Sequence, residues 1–238
     1  MFFHLSNQYQ FCELETVQSD SGHRYYISPS GLYLPSVTSV ISYVNKNKLD
    51  SWVKRIGVDE SEKVKRVAAL RGSLLHEAIE RYLLNEQDVL IRNHPNANLM
   101  FGVIKKFLKD NLNNIHALEN PLYSEVLRVA GRVDCIAEWN GKLSVIDFKT
   151  SSKEKKKSWI EHYFIQASTY AIMFYEMFGV RIDNLVILMV SNDGTVQVFE
   201  ESLRTNYLKK MYNYVKKYYE DHECFIPSVK INEQKRNQ

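Results

Sequence analysis

Two adjacent residues, Asn140-Gly141, constrain this chain more than any others. Asn-Gly between alternating apolar and polar runs is the strongest short-range signal for a β-hairpin closed by a type I′ turn, because both turn positions need positive φ. Once the turn is placed, register follows by counting outward. Asp134 falls opposite Asp147, and Arg132 falls opposite Lys149. Side chains alternate across a strand, so these four share one face. Val133, Cys135, Ala137, Ile146 and Phe148 make the other, which reads as a core face. Directly opposed residues have Cβ atoms roughly 4.5–5.5 Å apart, and like charges there are destabilising. Two carboxylates at that spacing call for something positive between them, and a divalent metal ion is the natural candidate. Ile136 and Val145 flank the acids on the same face, so the face is at least partly buried and an uncompensated acidic pair is costly. The same residues also fit an exposed hairpin whose acids simply pair with Arg132 and Lys149.

The rest of the chain reads as helices around such strands. Two short strands flank Ser28-Pro29-Ser30-Gly31, between His23 and Tyr33. Ser36 caps a helix with Val37, Val40, Ile41 and Val44 on its apolar side. Further helices are expected over 49–56, 60–84 and 97–115. Tyr123 to Val129 is a strand candidate leading into the hairpin. Trp159 to Phe178 is a long apolar helix closed by Gly179. A second hairpin, 185–191 with 195–200, turns at Asn192-Asp193-Gly194, and a Tyr- and Lys-rich helix from Ser202 to about Asp221 follows. That order predicts a mixed α/β fold, a central sheet with helices on both faces. It is expected to be one domain over 1–238, with N-terminal strands and helices to 120, a core over 121–200, and a closing helix and tail over 201–238.

A net charge of +3 with a pI near 8.6 is mildly basic and says little about partners until its distribution is known. Cys12, Cys135 and Cys224 show neither a disulfide framework nor zinc spacing, so a reducing cytoplasm is expected. There is no stretch apolar enough for a signal peptide or a membrane span, and Glu13, Glu15 and Asp20 argue against an organelle transit peptide.

Three more groups carry chemistry. Mg²⁺ takes oxygen ligands, with only one or two protein carboxylates, and Asp134 and Asp147 suit it; Lys149 is placed to orient a water and offset phosphate charge. His76 and Glu80, four apart, share a helix face. His76 then serves as a third ligand and Glu80 as the group that orients its ring, or the two are an ordinary surface pair. Gln166 and Tyr170 have the same spacing on an apolar helix, with His162 one turn back, and a buried Gln needs a specific partner. Lys153, Lys155, Lys156 and Lys157 are placed to attract a nucleic-acid backbone or else form a solvated loop. Tyr207 to Tyr219 offers stacking platforms for bases, or supplies core and helix surface.

Taken in order, Gly72-Ser73-Leu74-Leu75-His76 with Glu80, Gly131-Arg132-Val133-Asp134, Asp147-Phe148-Lys149-Thr150-Ser151 and Gln166-Ala167-Ser168-Thr169-Tyr170 resemble the RecB-like branch of the PD-(D/E)XK nuclease superfamily. Tyr25 to Pro29 and Pro35 to Thr38 resemble bacteriophage exonucleases of that branch, and Gly131 to Ser151 is similar to mitochondrial genome maintenance exonucleases. The resemblance implies a restriction-endonuclease-like core, a mixed β-sheet flanked by helices, and metal-dependent hydrolysis of DNA phosphodiesters. It implies His76, Asp134, Asp147 and the Phe148 carbonyl as metal ligands and Lys149 as the catalytic lysine. Gln166 and Tyr170 then place the lysine and the DNA, and Glu125 sits near the DNA path. Arg132 and the lysines from 153 to 157 are the expected DNA contacts. Val133 replaces the proline of the family pattern and Asp147 its glutamate. Three scattered cysteines imply no iron–sulfur cluster.

The expected function is a Mg²⁺-dependent DNA exonuclease, with Mn²⁺ an alternative cation, acting on single strands or free ends in phage or host DNA replication, recombination or degradation. A structure-specific endonuclease, a noncatalytic DNA-binding module, and a scaffold with a structural acidic hairpin are the rival readings.

Overall fold

The computed structural model describes residues 1–19 and 23–222; Asp20 and Cys224 lie outside the described residues. Three short strands, β1 (Thr16–Gln18), β2 (Arg24–Ile27) and β3 (Tyr33–Pro35), form a small antiparallel sheet. Helices α1 (Val37–Val44), α2 (Lys46–Ile56), α3 (Val58–Leu83) and α4 (Pro95–Asn111) follow. Ser36 does cap α1, its side chain accepting from the Ser39 N–H at 3.0 Å.

The main sheet has the order β4-β5-β6-β7-β8: β4 (Leu112–Ser124), β5 (Val129–Trp139), β6 (Lys142–Ser151), β7 (Asn184–Ser191) and β8 (Val196–Ser202). Neighbours are antiparallel except β6 and β7, which run parallel. A parallel pair needs a crossover, and α5 (Glu161–Phe178) supplies it before Gly179 stops the helix in a left-handed conformation, φ 71°. Helix α6 (Thr205–Asp221) closes the described chain. The sheet separates two cores. Val133, Ile136, Val145 and Ile187 face α1, α5 and α6, while Cys135, Ile146, Phe148 and Leu188 face α3 and α4. The mixed α/β expectation holds. Tyr207 and Tyr218 belong to the first core, and the Tyr218 hydroxyl lies 3.0 Å from that of Tyr25.

Two expected boundaries are corrected. The helix read over 97–115 ends at Asn111, and residues 112–124 form an edge strand. The stretch 123–129 therefore straddles the β4–β5 turn instead of forming a strand. Strand β4 hides because it is irregular: its register shifts twice between Asn113 and Ala117, and Asn114 and Glu119 have φ of 46° and 50°. Pro121 is tolerated because an edge strand leaves one side of its backbone unpaired. Among the described residues, no helix is long and apolar enough to cross a membrane.

The hairpin forms as the turn dictates. Asn140 and Gly141 have φ of 50° and 75°, and the ladder runs from Trp139↔Lys142 to Cys135↔Ile146. There it stops. Beyond that point β6 continues against β7, with Asp147↔Ile187 and Lys149↔Met189, and β5 continues against β4, with Pro121↔Arg132. Arg132 is thus not paired with Lys149, and Val133 packs on the α5 side, away from Cys135.

Candidate active site

The site lies in the gap where β5 and β6 part. The Phe148 N–H donates to Asp134 Oδ2 at 2.8 Å, so a side chain takes the place of the next backbone rung. Helix α3 brings His76 over the gap. Its Nε2 lies 2.8 Å from the Phe148 carbonyl oxygen and its Nδ1 3.8 Å from Asp134 Oδ2. Both ring nitrogens are therefore turned to the sheet, and the ring is oriented by the Phe148 carbonyl in place of the expected Glu80. Glu80 acts instead on the charge of Glu119.

Glu119 is the residue that sequence reasoning missed. It occupies the β4 position between the pairs Leu118↔Cys135 and Asn120↔Val133, facing Asp134. One donor atom each from His76, Glu119 and Asp134 lie within 4.8 Å of one another. Burial, reinforced by Asp134 and Glu80, pushes the Glu119 carboxyl up to about 8. A glutamate followed by Asn-Pro reads as a turn, so nothing in the local pattern set this charge apart. The left-handed backbone at Glu119 costs roughly 1–2 kcal/mol for a non-glycine residue, a strain typical of functional sites.

Asp147 is buried, and Lys149 donates to its Oδ1 at 2.6 Å. Its other oxygen, Oδ2, is buried without a hydrogen-bond partner. Burial raises the Asp147 pKa against the pull of Lys149, and Asp134 adds repulsion in the same direction. For Lys149, burial disfavours the charge, but Asp147 and Asp134 outweigh it and hold the ammonium pKa above the usual lysine value. The ammonium also sits 5.1 Å from the centre of the Tyr163 ring.

From the other face, α5 brings in Gln166 and Tyr170, both buried. Gln166 lies near enough to the Tyr170 hydroxyl to pull its pKa down against the stronger effect of burial. Burial, with the charges of Asp134 and Asp147, drives the Tyr170 pKa far up, so the phenol stays protonated. Tyr170 lies against Gly131: a Cβ there would sit 2.7 Å from its hydroxyl oxygen. This is the glycine that close packing requires. At Gly72 on α3, a Cβ would meet only Thr150 Oγ1 at 4.0 Å.

The remaining expected contacts spread outward. The Arg132 guanidinium donates to the Glu119 carbonyl and lies 3.6 Å from Glu13. Lys153 and Lys156 are exposed. Lys155 is tied by its backbone to Gln197, and Lys157 pairs with Glu201 at 2.7 Å, on the β8 side. Glu125 accepts from Ser30 in the β4–β5 turn region.

The residues suit a divalent cation on two observations. The donors are carboxylate oxygens, a carbonyl and one imidazole, a set that serves Mg²⁺ or Mn²⁺. The orphaned Asp147 Oδ2 is a buried lone pair that a cation satisfies, where otherwise it costs about 1–3 kcal/mol or more.

Residues 51–196 match the family model of the PD-(D/E)XK nuclease superfamily. Mitochondrial genome maintenance exonuclease 1 of Homo sapiens is 35% identical over 133 residues, which are 51% of this chain and 38% of the human protein. The Xenopus tropicalis protein of that name is 27% identical over 175 residues, 68% of this chain and 50% of its own length. The chain thus spans half or less of the curated relatives it matches. A crystal structure from Eubacterium rectale, provisionally assigned as an exonuclease, overlaps 62% of this chain and 64% of its own at a TM-score of 0.44 and 13% identity.

Proposed function

The chain belongs to the PD-(D/E)XK nuclease superfamily, and from that premise we propose that it is a divalent-metal-dependent deoxyribonuclease that degrades DNA from ends, with a preference for single strands. One observation carries the reading. His76, Glu119 and Asp134 converge within 4.8 Å, beside an Asp147–Lys149 pair whose buried carboxylate has an oxygen without a hydrogen-bond partner.

A divalent cation bound here supplies Lewis-acid polarisation of a phosphoryl oxygen and lowers the pKa of a water. His76, Glu119, Asp134, Asp147 and the Phe148 carbonyl are the groups available to hold it. The protein's own part is electrostatic and positional. Asp147 fixes Lys149 at 2.6 Å, and the ring of Tyr163 covers the ammonium. The lysine then donates a hydrogen bond to a phosphate oxygen or to the attacking water, and its charge offsets the negative charge gathered at phosphorus. Tyr170, packed on Gly131, keeps the β5 backbone in place next to Asp134. Arg132 and the exposed lysines at 153 and 156 extend positive charge toward a DNA backbone. The exonuclease names of the relatives support action from ends; a role in DNA replication, recombination or degradation, including in a phage, is part of the same proposal.

The test is digestion of end-labelled single- and double-stranded oligonucleotides and of a closed single-stranded circle, with Mg²⁺, Mn²⁺ or chelator. Shortening from one end, stopped by chelator and leaving the circle intact, is the expected result. Cleavage of the circle converts the reading to an endonuclease. Undiminished cleavage in excess chelator overturns it.

A further inference from the structure

Next to the site, α3 and the segments after β6 and β7 enclose a groove of about 470 Å³, lined by Lys63, Arg71, Thr150, Lys155, Tyr163 and Asn192. Tyr163 is the ring that covers the Lys149 ammonium, so the groove opens beside that lysine. Arg71 stands on α3 just ahead of His76 and also lines a second groove, of about 240 Å³, on its other side. Any strand leaving the site along α3 passes this guanidinium.

The state of Arg71 is unusual. Its Nη1 donates to Asn192 Oδ1 at 2.9 Å, and Asn192 is itself anchored by its N–H to the Ser151 carbonyl at 3.1 Å. Its Nε is buried with no hydrogen-bond partner. Among the described residues, no carboxylate pairs with it; Glu60, the acid in the groove, lies 3.9 Å from Lys63 instead. A partly buried cation without a counter-charge is unfavourable unless a ligand brings one. Burial lowers the Arg71 pKa, yet a guanidinium stays charged in any protein. Asn192 fixes the group by Nη1 and, with Nε closed off inside the protein, leaves Nη2 to donate to a phosphate oxygen.

We propose that Arg71, held by Asn192, is a binding residue that clamps a backbone phosphate of the DNA strand adjacent to the scissile one. This rests on the nuclease reading and assigns one subsite within it. Lys155 and Lys63 line the same groove and add long-range attraction.

The experiment measures binding of a fluorescent single-stranded oligonucleotide by anisotropy in chelator, where cleavage is stopped, across a salt series. Arg71→Ala is expected to weaken binding at least about tenfold at low salt and to reduce the slope of log K against log salt by about 0.7, one phosphate contact on a single strand. Arg71→Lys keeps the charge and loses the planar group that Asn192 fixes, so it should restore the slope and only part of the affinity. A set of oligonucleotides with one neutral methylphosphonate moved along the chain should show a position where the wild type loses affinity and Arg71→Ala does not. Affinity within about twofold of wild type with an unchanged slope, or the same methylphosphonate profile in both proteins, overturns the clamp and leaves the nuclease reading standing. If Arg71→Ala fails to fold, the Arg71→Lys slope and the wild-type methylphosphonate profile decide: a profile with no sensitive position overturns it. A wild type that neither binds nor cuts DNA overturns the nuclease reading, and the clamp with it.

Discussion

The two ends of the β5–β6 hairpin obey different rules. At the closed end, Asn140 and Gly141 set the turn and the ladder is regular from Trp139↔Lys142 to Cys135↔Ile146. At the open end the strands separate, and Asp134, Asp147 and Lys149 fill the gap with charge. Local backbone chemistry governs the first, so it is robust and chemically inert. The second exists because β4 and β7 pull the two strands apart and α3 and α5 cover the opening. Strain, buried charge and unsatisfied atoms collect there, which is how a rigid scaffold and a reactive site coexist on one hairpin.

The largest test of that contrast is Asp147→Asn. It keeps the shape and removes the charge that fixes Lys149 and holds a free oxygen. Cleavage of a labelled oligonucleotide should fall at least about 10³-fold, with a small change in melting midpoint because Asp134 still opposes the lysine. Full activity would remove the open end from the chemistry. Next comes Gly131→Ala, which drives a Cβ to 2.7 Å from the Tyr170 hydroxyl. Overpacking of this kind costs about 1–3 kcal/mol in denaturant unfolding. Adding Tyr170→Phe should recover part of the loss; equal stability of Gly131→Ala and wild type would deny the close approach.

At the closed end, Gly141→Ala meets nothing within 4 Å and suffers only from φ 75°. It should cost about 1 kcal/mol and leave cleavage unchanged, so a strong activity defect would mean that the two ends are coupled. The smallest effect concerns His116 on β4, whose Nδ1 lies 2.7 Å from the Tyr9 hydroxyl. Burial lowers its pKa from 6.5, against an opposing pull from Glu138. The unfolded chain therefore binds the proton more readily, and stability falls as pH drops below 6.5 toward the folded value. The difference in unfolding free energy between pH 7.5 and 5.5, both round-number choices spanning roughly the histidine range, should shrink in His116→Gln. An unchanged difference would place the titration elsewhere.

Much of this site was legible because its motifs are local. His76, Asp134, Asp147, Lys149, Gln166 and Tyr170 do come to one place, from α3, β5, β6 and α5. Counting from the turn placed the acids near each other, although no rung joins them. Glu119 was not legible, because β4 departs from the alternating pattern by which a strand is recognised, through two register shifts and two left-handed residues. Nor was the His76 contact with the Phe148 carbonyl, since spacing on a helix shows which side chains are neighbours and not which of them faces a carbonyl across a gap.

Sequence alone determined the turn, the Ser36 and Gly179 caps and the apolar α5, because each depends on interactions among residues a few positions apart. The opening between β5 and β6, the approach of Glu119 from an edge strand and the anchoring of Arg71 by Asn192 were decided only in three dimensions. Those features are set by which distant segments compete for the same backbone hydrogen bonds and the same buried space, and no local pattern records the outcome of that competition.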